Sequence, residues 1–382
     1  MPRPSDWCYV QNFADADKPN YLKLPPGMGT EFRKDMEQLI AELQQEVPRA
    51  LESEDYDNER NRVIQEIQRK RSSEFTQLDQ KAQDSGFTIQ KGSAGLLLVP
   101  IVDGKLMSQE QYAQLSPEQR SEVESRSEAL QAELAKTMRA VQALEKEGRR
   151  QLAELERKVA MSAIGHHIEE LKEKYADNAS VMHYLTDMEQ DIIEHVGAFR
   201  PSEEMQPNPQ FFGMPMPQVS FDRYKINVIV DNAQIEGAPV VIEHNPTYQN
   251  LIGRIERQAQ FGALVTNFTM IKAGALHRAN GGYLMVHAYH LLRQPFTYEV
   301  LKRTLRTGEI RITDLGQEYS LISTVSVEPE PIPLDVKVVV IGNPTYYYLL
   351  QAYDEEFGEL FKVQADFDST MERTPENIQS YA

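Results

Sequence analysis

Apolar residues recur at three- and four-residue steps through Phe32, Met36, Leu39, Leu43 and Val47, which predicts a helix with one buried face that Pro48 interrupts. Val63, Ile67, Phe75, Leu78 and Ala82 mark a second amphipathic helix. Two β-rich runs follow, Phe87-Thr88-Ile89 and Leu96 to Val102, with turn residues between and after them. They predict a small hairpin near 87–106. Ser116-Pro117-Glu118-Gln119 then places an N-cap serine before a proline at the first helical position, with a glutamine three residues after the cap. The helix it opens carries Leu130, Leu134, Met138, Val141, Leu144, Leu152, Leu155 and Val159 on one stripe, and no Phe, Tyr or Trp occurs from Ala113 to Lys174. So narrow a stripe packs one partner helix, as in an antiparallel, coiled-coil-like hairpin.

The ends of the chain have a different texture. Trp7-Cys8-Tyr9-Val10 predicts a short buried strand, and Tyr224 to Val230, Pro239 to Glu243, Gly282 to Val286 and Val336 to Ile341 predict four more. The last two are continuous apolar runs, as in a parallel sheet covered on both faces. A helical pattern at Pro295 to Leu305 separates them, and the proline-rich stretch from Gln206 to Pro217 reads as a linker. The expected fold class is therefore α/β. Residues 1–30 begin the core, 31–200 form an inserted helical arm, 201–220 link back, and 221–382 complete the core. The simplest architecture is one sheet, begun at Trp7 and resumed after residue 220.

Charge narrows the partners. A formal net charge of -18 argues against nucleic acid and against an anionic membrane surface, both of which need basic protein. One cysteine, Cys8, excludes an intrachain disulfide and fits a reducing compartment. No apolar run of about 18 residues spans a bilayer, and no apolar core of a signal peptide follows Met1-Pro2-Arg3-Pro4. A cytoplasmic protein is expected.

Several segments resemble the AAA+ region of Lon-like proteases, and in particular the divergent bacterial branch often called LonC. They are Asn245 to Glu256 (NPTYQNLIGRIE), Ile271 to Leu284 (IKAGALHRANGGYL), Glu328 to Asp335 with Val338 to Asn343, and Asp6 to Phe13 (DWCYVQNF). Together they cover most of residues 5 to 30 and 220 to 377. The resemblance implies an AAA+-like, P-loop-type sheet core with a long inserted helical hairpin. It further implies a hexameric ring of self-associated copies, unfolded protein substrates, and a Ser–Lys peptidase dyad in a separate, following domain. No catalytic residue is therefore expected in this chain. The resemblance also implies that the arm screens or admits unfolded polypeptide.

The nucleotide chemistry is degenerate. A phosphate cradle of the G-x-x-x-x-G-K-[ST] type does not occur, and Gly27-Met28-Gly29-Thr30 has neither its spacing nor its lysine. By resemblance, His287 and Ala288 stand where an aspartate would help hold Mg²⁺ and a glutamate would orient the attacking water. Imidazole is a poor ligand for Mg²⁺, and alanine accepts no proton. Asn343 resembles the polar sensor residue that faces a γ-phosphate, and Lys362 falls where related motors carry an arginine finger. No cofactor is expected, with ATP and Mg²⁺ implied only if a cradle lies upstream. Phe261 and then Phe268, in Gln260 to Phe268, fall where a pore loop would grip extended polypeptide. Histidines predict no metal site, because His166-His167 with Glu169-Glu170, and His287 with His290, match no zinc spacing. The run Tyr346-Tyr347-Tyr348 is expected in core and interface. Two alternatives stay open: an ATP-driven Lon protease with its cradle upstream, and a standalone adaptor or scaffold. A chain that stops near the lid is expected to expose apolar surface on its last strand and to assemble poorly.

Overall fold

The computed structural model describes residues 3–92, 95–102, 105–107, 111–112, 114–199, 221–260, 263–313, 327–367 and 370–381. The expected linker, 201–220, lies outside the described residues. In chain order the first half comprises β1 (Asp6–Val10), β2 (Asn20–Leu24), α1 (Met28–Leu51), α2 (Glu54–Asp84), β3 (Phe87–Gly92), β4 (Gly95–Val102), β5 (Lys105–Leu106), α3 (Pro117–Lys174) and α4 (Ala179–Glu194). The second half begins with β6 (Asn227–Val230), β7 (Val240–Glu243), α5 (Tyr248–Ile252), β8 (Gly253–Ile255), β9 (Gln258–Gln260), β10 (Ala263–Val265), β11 (Ile271–Ala273), α6 (Ala275–Arg278) and β12 (Gly282–His287). It ends with α7 (Ala288–Arg293), α8 (Thr297–Thr307), β13 (Glu309–Ile310), β14 (Ile332–Pro333), β15 (Val336–Ile341), α9 (Pro344–Tyr353), α10 (Phe357–Leu360) and α11 (Pro375–Tyr381). Two compact units result. One comprises Met1–Ile40, Leu171–Met188 and Val219–Ala382, the other Ala41–Glu170 and Glu189–Gln218.

In the second unit, cross-helix pairs define the packing. Glu46 meets His167, Tyr56 meets Glu156, Arg71 meets Glu145, and Lys81 meets Glu133. Residue numbers rise on one side as they fall on the other, so α3 runs antiparallel along α1 and α2. The buried positions of α3 include Leu130, Val141, Ala160, Ile164 and Ile168. Met138, expected on that stripe, is 38% exposed. Pro48 does not end α1 as expected. It sits in the last turn, where little helix remains to be disrupted, and Ser53 then caps α2. Near the far end of α2, β3 and β4 pair antiparallel, and Ala82, Phe87 and Leu130 form a small core.

The first unit does not form the single sheet expected from the strand pattern. β1 pairs antiparallel with both β2 and β6, giving one three-stranded sheet in the order β2-β1-β6. A separate parallel sheet has the order β15-β12-β7. Strand periodicity shows which segments extend but not which partners they take. With neighbours on both sides, β1 has no free edge to offer the parallel sheet.

The start of β12 fixes the register of that parallel sheet. Asn280 donates to Pro333 O at 2.8 Å and accepts from Asp335 N at 2.8 Å, while Gly281 N donates to Asp335 O at 2.7 Å. Gly282 permits close approach to the β7 side, since a Cβ there would lie 2.1 Å from Pro239 O. Tyr283 N then donates to that same oxygen at 2.8 Å.

The faces of the sheet are unequal. Leu284 and Val286 are buried against Leu276, Ala279, Leu291, Val300 and Leu301 in the main core. On the opposite face Val240 and Ile242 are 61% and 53% exposed, and Val339 and Ile341 are also exposed. Removing side chains from the two faces should therefore have different costs. Leu284→Ala is expected to destabilise by about 2–5 kcal/mol, and Ile242→Ala by no more than about 0.5 kcal/mol, measured by urea unfolding.

Candidate functional site

The C-terminal ends of β7, β12 and β15 bring together the polar residues of greatest chemical interest. Ligands of open parallel sheets bind outside such strand ends. His287 ends β12 opposite Ile341 of β15, and Val286 lies opposite Glu243 of β7. His287 is exposed, with its ring 5.9 Å from that of His290. Ala288 is buried and begins α7. Gly342 leaves room for it, since a Cβ there would come within 2.8 Å of Ala288 Cβ. Asn343 is next along the chain, so the structure gathers His287, Ala288 and Asn343 at one rim.

What that rim can do is limited by its committed groups. Asn343 Oδ1 accepts from Thr345 N at 2.9 Å and caps α9, with Pro344 entering the helix behind it. The carboxylate at the rim belongs to Glu243, which accepts from Asn245 N at 2.9 Å and lies 3.5 Å from Arg278 Nη2. It is held by backbone and arginine. Neither position at the end of β12 supplies a carboxylate for a metal ion or a water. The tyrosine run beyond Asn343 is not core as expected. α9 has no buried residue, and Tyr348 is 64% exposed.

The glycine turn before α1 is filled by the protein's own acids. Gly27 adopts φ +86°, and Asp6 accepts from Gly29 N at 2.9 Å and from Asn232 N at 2.7 Å. Thr30 Oγ1 donates to Asp231 at 2.6 Å. Carboxylates occupy the positive end of this helix, where a phosphate cradle would need them absent.

β9 and β10 form a two-stranded antiparallel pair. Phe261, expected to contact polypeptide, falls between them and lies outside the described residues. Leu264 in β10 is 65% exposed. Leucine between alanine and valine reads as a strand residue, so no sequence signal distinguished it. Phe268 is corrected by the structure. Its side chain is 2% exposed and packs in the main core, while its carbonyl accepts from Asn227 Nδ2 at 2.7 Å. A ring so enclosed has no face left for an extended chain. Lys362 is exposed just beyond α10. A cavity of about 580 Å³ lies elsewhere, lined by residues that include Asn12, Lys18, Asn20, Arg311, Val327 and Glu328.

The family model of a LonB-like AAA domain matches residues 236–368, and that of a Lon-like LonC helical domain matches residues 6–39. The two matches support a Lon-like protease region. The LonB-like match takes in β7, β12 and β15 with their rim, and the LonC match takes in β1, β2 and the first turns of α1. No curated protein matches the chain. The architecture of this Lon-like region is mixed helix and sheet, with a long helix and a parallel sheet. Among the described residues no helix is long and apolar enough to cross a membrane.

One buried histidine of the Lon-like AAA match was not foreseen. His277 in α6 is fully enclosed, its Nδ1 accepts from Gly274 N at 3.2 Å, and its Nε2 has no partner. Burial, with a smaller contribution from neighbouring Arg278, pushes its pKa down to about 3. The unfolded chain then binds a proton below about pH 6.5 that the folded chain refuses until about pH 3, so stability falls as pH drops through that window. Between pH 7 and pH 5 the native protein should lose about 2 kcal/mol more than His277→Gln, read from urea midpoints at the two pH values.

Proposed function

We propose that this chain is the substrate-recognition and assembly region of a Lon-like serine protease, handling unfolded polypeptide without an ATP cycle of its own. The observation that carries the reading is the rim inside the LonB-like AAA match. There His287 and Ala288 follow the central parallel strand, with Asn343 engaged in capping a helix. A hydrolytic site of this kind uses carboxylates to hold Mg²⁺ and to orient the attacking water, and neither His287 nor Ala288 carries one. Its nucleotide positions are thus degenerate Walker B and sensor positions. The partners are unfolded proteins and further copies of the same chain in a hexameric ring, in the cytoplasm. The exposed apolar face of Val240, Ile242, Val339 and Ile341 supports an assembling role, since parallel sheets are ordinarily covered on both sides. The β9–β10 pair supports contact with polypeptide through the exposed Leu264, and Phe261, three residues earlier in the sequence, is proposed to share it.

One observation favours a second reading. Among the described residues β15 ends its sheet, and Asn343 stands at the C-terminal end of that strand. A strand carrying a phosphate cradle from upstream could pair along this edge, giving an ATP-driven Lon protease. A malachite-green assay with Mg²⁺ and ATP separates the two. No turnover is expected, and turnover that persists in His287→Ala would overturn the first reading. Polypeptide handling is tested by fluorescence anisotropy with a reduced, carboxymethylated, permanently unfolded protein. Loss of one exposed leucine contact should weaken binding about tenfold in Leu264→Ser. Equal affinity in the native chain and the variant would remove Leu264 from the contact surface.

A further inference from the structure

The helical unit holds a cluster that the reading above does not use. His167 of α3 stands between two glutamates one turn apart on α1. Its Nδ1 lies 3.2 Å from Glu42 Oε2 and its Nε2 lies 3.1 Å from Glu46 Oε2. A neutral imidazole has one N–H and one lone pair, whereas an ionised carboxylate only accepts. One of these two contacts therefore needs a second proton, on the ring or on a carboxyl, or a metal cation between its atoms. His166 stands beside the pair with its ring centroid 3.7 Å from that of His167. One ligand atom each from Glu46, His166 and His167 lie within 4.8 Å of one another.

These separations suit a small transition-metal ion. Four-coordinate zinc holds nitrogen and oxygen donors at about 2.0–2.1 Å, which places neighbouring donors about 3.3 Å apart. Glu46 and His167 already have that spacing. His166 is exposed, and one of its ligand atoms lies within 4.8 Å of those of Glu46 and His167. Glu42 supplies the outer contact that metal-bound histidines ordinarily have. By accepting from Nδ1–H it fixes the tautomer and turns the Nε2 lone pair toward Glu46. Two imidazoles with one carboxylate favour zinc and its neighbours over Mg²⁺ or Ca²⁺, which prefer all-oxygen sites.

We propose that Glu46, His166 and His167 bind a zinc-class metal ion that staples α1 to α3, with Glu42 as a positioning residue and water completing the shell. The pairing was invisible to a search for local spacing, because Glu46 and His167 are 121 residues apart in sequence.

The test uses the full chain without a polyhistidine tag, stripped with chelator and dialysed. Calorimetry with Zn²⁺ should show one equivalent bound and thermal melting should shift upward, since a ligand that favours the folded state stabilises it. Co²⁺ in place of Zn²⁺ should give the intense visible absorption of a four-coordinate site. His166→Ala leaves the bridge from His167 to Glu42 and Glu46 in place, so it keeps the fold while weakening Zn²⁺ binding by at least about tenfold. Glu46→Gln should do the same. Absence of stoichiometric binding, or unchanged affinity in both variants, would overturn the site and leave an ordinary ion-pair bridge between the two helices.

Discussion

The parallel sheet depends on a clamp only three residues long. Asn280 satisfies a carbonyl and an amide on the approach to β15, Gly281 adds a third bond to the same approach, and Gly282 lets β12 press against the β7 side. These contacts pair part-buried backbone groups, and such groups are costly to leave unsatisfied. With the strands fixed at their beginnings, every later register position follows. Val286 meets Val340 and Glu243, and His287 meets Ile341. The rim that gathers His287, Ala288 and Asn343 is thus a product of hydrogen bonds made at the opposite end of the strands.

Chemistry at the rim follows from what that clamp brings together. The side chains there either cap helices, pair with their own backbone, or lack acidic oxygen. The turn ahead of α1 shows the same economy, with Asp6 and Asp231 taking the donors that an anion would need. Asp6, Asp231 and Asn343 are thereby committed to bonds that hold the protein together. The sheet face around Val240 and Ile242 is the contrary case, where apolar side chains have been left outward.

Much of the fold was legible because periodicity is local. The runs at Trp7, Gly282 and Val336 became β1, β12 and β15, and the steps through Phe32 to Val47 became α1. Partner choice was not legible, since alternation says nothing about which edges meet, and so one expected sheet became two. Phe268 illustrates the limit at the level of a site. An aromatic near glycine suits a gripping loop or a core equally well, and only the packing of the main core decided between them. Nothing in the sequence singled out Asn280, although both ends of its amide are engaged. His277 and the Glu42–Glu46–His167 arrangement needed distant segments to be brought together before their environments had any meaning.

The 58 residues of α3 have a mechanical consequence. At 1.5 Å per residue the helix is a rod about 87 Å long, so a tilt of roughly 5° at one end sweeps the other through about 8 Å. A helix of that length would turn a small change of angle at one end into a wide displacement at the other.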